Sequence, residues 1–116
     1  MSNQEHLVRR YMDGFQRSDH PAILACLTDD VVWRIYGVRT TRGKTAFDKE
    51  IETPGFEGST DYSVERTVSS GDTTVITGTG HGRHVTTGPF QFAFSDVFTF
   101  RDGLISQVDS YVVPLP

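Results

Sequence analysis

Two periods organise the hydrophobic positions of this chain. Leu7, Val8, Tyr11, Met12 and Phe15 recur three and four residues apart, which predicts an amphipathic helix to about Arg17. Ser2 and Glu5 stand at its start in the spacing of a capping box. Asp19 as a cap, Pro21 in a first turn and the stripe Ile23, Leu24 and Leu27 predict a short second helix, which "TDD" (Thr28 to Asp30) ends. In "VVWRIYG" the period drops to two, with Val31, Trp33 and Ile35 on one face of a short strand. "VRTTRG" reads as a loop. "KTAFDKEI", with Phe47 and Ile51 four apart, reads as a third helix stopped by Pro54 and Gly55.

From there alternation rules. "DYSVERTV", "TTVITGTGHGRHVTT", "FQFAFSDVFTF" and "LISQVDSYVV" predict four strands, and "SSGD", "TGP" and "RDG" between them are turn chemistry. Short connections make these neighbours antiparallel. The expected fold is a single α+β domain over residues 1–116, with three N-terminal helices packed on a curved, mainly antiparallel sheet.

The third of those strands carries the chemistry. Its even positions are Phe90, Phe92, Phe94, Asp96, Phe98 and Phe100, a carboxylate set among five phenylalanines. Burying each ring is worth roughly 1.5–3 kcal/mol, so the rings fix the register and the acid must adapt. Desolvation raises a buried carboxyl's pKa, and a neutral acid facing a cavity can donate a hydrogen bond or a proton. The alternative is structural: a bulge near Ser95 could turn Asp96 outward, or the side chain could bond a backbone amide or an arginine.

Composition narrows the class. With 36% hydrophobic and 22% charged residues in 116, the chain has the make-up of one soluble globular domain. A formal charge of −4 argues against nucleic acid as a partner. No apolar run approaches the ~20 residues of a membrane span, and "MSNQEHLVRRYM" lacks the apolar core of a secretory signal, so a cytoplasmic protein is expected. A single cysteine, Cys26, excludes an internal disulfide and a multi-cysteine metal site.

Three segments, "RRYMDGFQRSDHPAILACLTDDVVWRIYG", "TRGKTAF" and "SDVFTFRDGLISQVDSY", resemble the SnoaL-like branch of the NTF2-like superfamily, and the resemblance covers nearly the whole chain. It implies a cone-shaped α+β barrel with one apolar pocket. Relatives include ketosteroid isomerase, polyketide cyclases, limonene epoxide hydrolase and non-enzymatic binding proteins. Laid on ketosteroid isomerase, Tyr11 falls at the oxyanion tyrosine and Asp96 at the protonated acid, while the base position falls on Ile35, which cannot accept a proton. Asp96 also resembles the acid/base aspartate of the polyketide cyclases. The last-strand acid of the epoxide hydrolase falls on Ser110. The resemblance further implies a homodimer, formed through the outer sheet face of Gln91, Ala93, Ser95, Val97 and Thr99.

Other polar residues are secondary. A tight turn at "TTGP" would set Thr79 opposite Asp96 and make His81 a partner of the acid, whereas a slipped turn would substitute His84 or face both away. The pair does not suggest a metal site. "TGTGHG" lacks the strand-to-helix turn of a phosphate loop, and its glycines suit a bend or a close approach by a helix or a partner. Arg34, Arg39, Arg42 and Lys44 form a basic cluster that either steers an anion or is simply solvated. Asp109 and Tyr111 enter the pocket only if the "RDG" turn carries a bulge. The lining expected from the sequence is Tyr11, Phe15, Trp33, Ile35, Phe47, Phe94, Asp96 and Phe98. Such a pocket suits a small hydrophobic or aromatic molecule with one or two oxygens. Asp96 would serve as general acid and Tyr11 as donor in a cyclisation, isomerisation or hydrolysis without a cofactor. The rival expectation is a non-catalytic binding or assembly module.

Overall fold

The computed structural model describes residues 2–52 and 56–116. Helix α1 (Asn3–Arg17) begins where Ser2 accepts from the Glu5 amide and ends at Ser18, whose left-handed backbone returns its N–H to the last turn. Helix α2 (His20–Leu24) is capped by Asp19 as expected. Gly14 is required between them, because a Cβ there would stand 2.8 Å from the Ile23 side chain. Strand β1 (Leu27–Ile35), strand β2 (Arg39–Arg42) and helix α3 (Lys44–Glu50) follow. Pro54 and Gly55, expected to stop α3, lie outside the described residues. Strands β3 (Phe56–Ser70), β4 (Thr73–His84), β5 (Gly88–Arg101) and β6 (Leu104–Leu115) form the meander.

The six strands run in the order β2-β1-β6-β5-β4-β3. All pairs are antiparallel except β1 with β6. The sheet is therefore mixed and open at β2 and β3, and with the three helices packed on it makes the expected α+β cone. Two segments differ from the sequence expectation. Leu27 and "TDD" belong to β1 rather than to the end of α2, with an irregularity against β6 between Leu27 and Val32. "VRTTRG" holds β2, which hairpins onto β1 through Val32 to Ile35. In β2, ladder hydrogen bonds override weak local strand propensity, whereas Thr28 to Asp30 lie within the irregularity between two paired stretches of β1.

Helices and sheet enclose a core that includes Val8, Tyr11, Ile23, Phe47, Phe98 and Val108. Cys26 is buried in it with its thiol directed at the Ala22 carbonyl, a structural role.

Two turns set the registers that matter. Asp102 and Gly103, both at positive φ, make a two-residue hairpin pairing Arg101 with Leu104. A bulge then leaves Ser106 as an extra residue of β6, its hydroxyl donating to the Thr99 carbonyl. The β4–β5 turn is a three-residue loop, Val85 to Thr87, closed by Gly88 at positive φ. It is not the two-residue turn expected at "TTGP", because the His84 imidazole accepts from the Thr86 and Thr87 amides and holds the wider loop.

Candidate functional site

That wider loop decides which histidine can reach the acid. Ile76, not Thr79, stands opposite Asp96, and His81 faces Gln91. The register differs by three residues, an odd number, so the two faces of β4 exchange. His81 is exposed on the outer face, 3.7 Å from Asp61, and is not a partner of Asp96. His84 takes the inner parity and lines the mouth of the cavity.

Asp96 does look inward. Its neighbours across the ladder are Ile76 on β4 and Ser110 on β6. What surface it retains opens into a cavity of about 1070 Å³ between the sheet and the helices. Burial pushes the Asp96 carboxyl up to about 6, against the opposing pull of a hydrogen bond from Ser110. Ser110 also accepts the Trp33 indole N–H at 3.0 Å. A chain of donors thus runs from Trp33 through Ser110 to the carboxylate.

The bulge at Ser106 produces this contact. Continued without it, the Asp102–Gly103 hairpin would bring Asp109 opposite Asp96; the extra residue brings Ser110 instead. A bulge is present, as the sequence allowed, but it turns Asp109 and Tyr111 outward rather than into the pocket. Tyr111 stacks on Tyr36 outside, ring centres 4.6 Å apart.

Two phenols flank the carboxyl. Tyr11 is buried against Phe98 and Phe15, with ring centres 5.1 and 5.0 Å away. Its pKa is raised far above the ordinary value, first by burial and then by the nearby Asp96 charge. Tyr62, on β3, is pushed up to about 12 by burial and again by Asp96. Both phenols therefore stay protonated, and each hydroxyl has a proton to donate. Sequence reasoning missed Tyr62, although its alternation with Val64 in "DYSVERTV" was the available signal. Its backbone N–H donates to Gln16 Oε1 at 2.8 Å, while Gln16 Nε2 donates to Asp61 Oδ1 at 2.8 Å. One helix side chain therefore anchors the segment that presents Tyr62.

Of the expected lining, Tyr11, Phe15, Trp33, Ile35, Phe94 and Asp96 do face the cavity. Phe47 and Phe98 do not: both are fully buried in the layer behind it. Phe47 stacks on Trp33 at 4.6 Å, and Phe98 meets Tyr11 edge-on. They support the wall rather than form it, because the rings of Trp33 and Tyr11 lie between them and the space. Ile35 faces the cavity beside Ser110 across the parallel ladder, so the ketosteroid-type base position holds a hydrocarbon.

The expected basic cluster is divided. Arg39 pairs with Glu50 at the cavity mouth, Lys44 stands 3.6 Å from Asp29, and Arg34 bonds Tyr36 on the outer side. Among the described residues no group of three or more histidines, cysteines or carboxylates is placed to hold a metal, and no helix is long and apolar enough to cross a membrane.

The arrangement is one titratable acid and two phenol donors at the inner end of an apolar chamber. It can grip an oxygen of a hydrophobic molecule and exchange a proton with it. Solved structures share the architecture. An NTF2-like protein of unknown function from Burkholderia pseudomallei is 24% identical, with a TM-score of 0.87 over 97% of this chain and 92% of that one. An LEH-like epoxide hydrolase from M. tuberculosis is 19% identical, with a TM-score of 0.82 over 96% of this chain and 83% of that one. A candidate ketosteroid isomerase from Kribbella flavida is 17% identical, with a TM-score of 0.83 over 98% and 80%. Among curated proteins none matches the sequence. The SnoaL-like domain profile matches residues 8–108, and the chain belongs to that family.

Proposed function

We propose that this protein binds a small, largely apolar molecule in the cavity and uses Asp96 to move a proton at one of its oxygens, with Tyr11 and Tyr62 donating hydrogen bonds to that oxygen. The observation that carries the reading is the position of the Asp96 carboxyl, at the inner end of an apolar chamber and held by a single hydroxyl from Ser110. The raised Asp96 pKa keeps a protonated population near neutral pH that an ordinary aspartate lacks. An apolar ligand that displaces water raises that population, since desolvation favours the neutral acid. The reaction class is cyclisation, isomerisation or hydrolysis, driven by acid–base chemistry. A three-residue isomerase of the ketosteroid type is disfavoured by Ile35. The same feature favours the second reading, a binding module without turnover.

The test uses 4-ethylphenol as binding probe and a panel of small epoxides, enones and β-keto esters as substrates. Saturable phenol binding that raises the Asp96 pKa, with turnover abolished in Asp96→Asn, is the expected result. Full turnover in that variant removes Asp96 from the mechanism. Binding without turnover of any compound selects the module. A second copy of the chain, packed on the outer face of β5 and β6, is the proposed partner; nucleic acid and membranes are not.

A further inference from the structure

Gly78, Gly80 and Gly82 on β4 pair directly with Phe94, Phe92 and Phe90 on β5. Each phenyl ring leans across its glycine into the space a side chain would take. A Cβ on Gly80 would stand 2.3 Å from the tip of Phe92, and one on Gly82 would stand 2.8 Å from the tip of Phe90. At Gly78 the Ser63 carbonyl, at 2.2 Å, also forbids a side chain. The close approach expected at "TGTGHG" from a helix or a partner is made instead by the neighbouring strand.

The consequence falls on the cavity. Its wall follows β5 outward from Asp96 through Phe94, Phe92 and Phe90, with Val112 and Pro114 of β6 alongside. Six residues of strand span about 20 Å. Polar groups recur at the far end, where Glu50, His84, Thr87 and Gln91 ring the mouth. Rings lying over bare glycine leave this passage open. Phe92 has little freedom elsewhere: Tyr62 stands edge-on at 6.1 Å and Phe90 stacks at 6.0 Å. A ring displaced from Gly80 must enter the passage.

We infer that the Phe92–Gly80 pair sets the length of ligand the cavity admits, and that the site is shaped for an elongated apolar molecule entering oxygen-first with its tail along the phenylalanine wall. The inference rests on the cavity-binding reading above. Two phenols with the same head and different tails, 4-ethylphenol and 4-octylphenol, separate the two by calorimetry. The wild type should bind the octyl compound at least about tenfold tighter, since each added methylene is buried. Gly80→Ala should lose about tenfold or more for 4-octylphenol and less than about twofold for 4-ethylphenol. Adding Phe92→Leu should recover most of the loss by removing the ring tip. Equal losses for both phenols, or none, overturn the inference while leaving the binding reading intact. Failure of the wild type to bind either phenol overturns the binding reading and the ligand preference with it. Should Gly80→Ala not fold, Gly82→Ala tests the same wall, with the same selective loss expected. An NMR contact between the Phe92 ring tip and residue 80 that survives in Gly80→Ala also overturns the inference, without any ligand.

Discussion

Ser110 holds Asp96 from directly across the β5–β6 ladder, and the same hydroxyl accepts the indole N–H of Trp33 at 3.0 Å. With that acceptor occupied, the Ser110 proton is directed to the carboxylate, which it stabilises against burial. Ser110→Ala removes both bonds. The Asp96 pKa should rise above about 6, and the stranded indole donor should cost about 1–3 kcal/mol of stability. Carbon-detected NMR titration of the Asp96 carboxyl reads the first effect and urea unfolding the second. A pKa that falls or stays put would contradict the assigned direction of the Ser110 bond.

Asp96→Asn should stabilise the protein in alkaline solution. A folded pKa of about 6 against an ordinary 3.8 means the native state holds the proton more tightly than the unfolded chain. Stability therefore falls as pH rises from about 4 to about 6, and above that the full penalty of about 3 kcal/mol is present. Asparagine keeps the shape and removes the charge. Its Tm should exceed the wild type's by several degrees at pH 8 and match it at pH 4. Equal curves at both pH values would place the carboxylate in contact with bulk water.

The inward acid was legible because five phenylalanines outweigh one carboxyl in choosing a face. The N-terminal caps of α1 and α2 were legible, since capping is a local contract between a side chain and an amide two or three residues away, but the end of α2 was not: it stops at Leu24, and Leu27 opens β1. The company Asp96 keeps was not legible. His81 was lost through a loop one residue wider than expected, held by the His84 ring, a contact that strand periodicity does not report. Ser110 was gained through a bulge at Ser106, and one inserted residue reverses every later side chain of β6. Phe47 and Phe98 were correctly apolar but one layer too deep, because alternation gives a face and not a depth.

Gln16 joins helix to strand, so its loss should act on Tyr62 without touching the cavity's acid. Gln16→Leu strands the Tyr62 backbone N–H and frees Asp61, and should cost about 1–3 kcal/mol in chemical unfolding. Hydrogen exchange at the Tyr62 amide should speed up more than exchange at Asp96. Uniform acceleration along the strands would show a general loss of stability instead.

His20 ties α2 to α3 through Asp48 at 2.5 Å and Glu52 at 3.4 Å. The Asp48 bond is the main reason its pKa is raised above 6.5, with burial opposing and Glu52 adding. A raised histidine pKa gives stability that is fully present below the unfolded value and lost as pH rises through the folded one. His20→Gln should therefore be less stable than the wild type near pH 5.5 and close to it at pH 9. The side chain is 31% exposed, so the difference should shrink in 0.5 M salt. A gap that persists at pH 9 would assign His20 a packing role rather than a charged one.

The outer face of the sheet is the surface proposed above for a second copy. Ser95, Val97 and Thr99 face away from the cavity on β5, and on β6 Tyr111 and Val113 are 46% and 59% exposed. These side chains are small or flat and stand on one continuous ladder, with the outward Asp109 directly opposite Val97. The Tyr36–Tyr111 stack adds a rigid aromatic anchor at its margin. In a dimer a carboxylate at position 97 would be buried without a partner, so Val97→Glu should shift the mass from two chains to one. In the monomer that side chain faces water beside Asp109, a like-charge pair that should lower the Tm by only a few degrees. Sedimentation at micromolar concentration decides the matter: a wild-type chain of single mass would remove the dimer from the proposal, and a dimeric Val97→Glu would move its interface elsewhere.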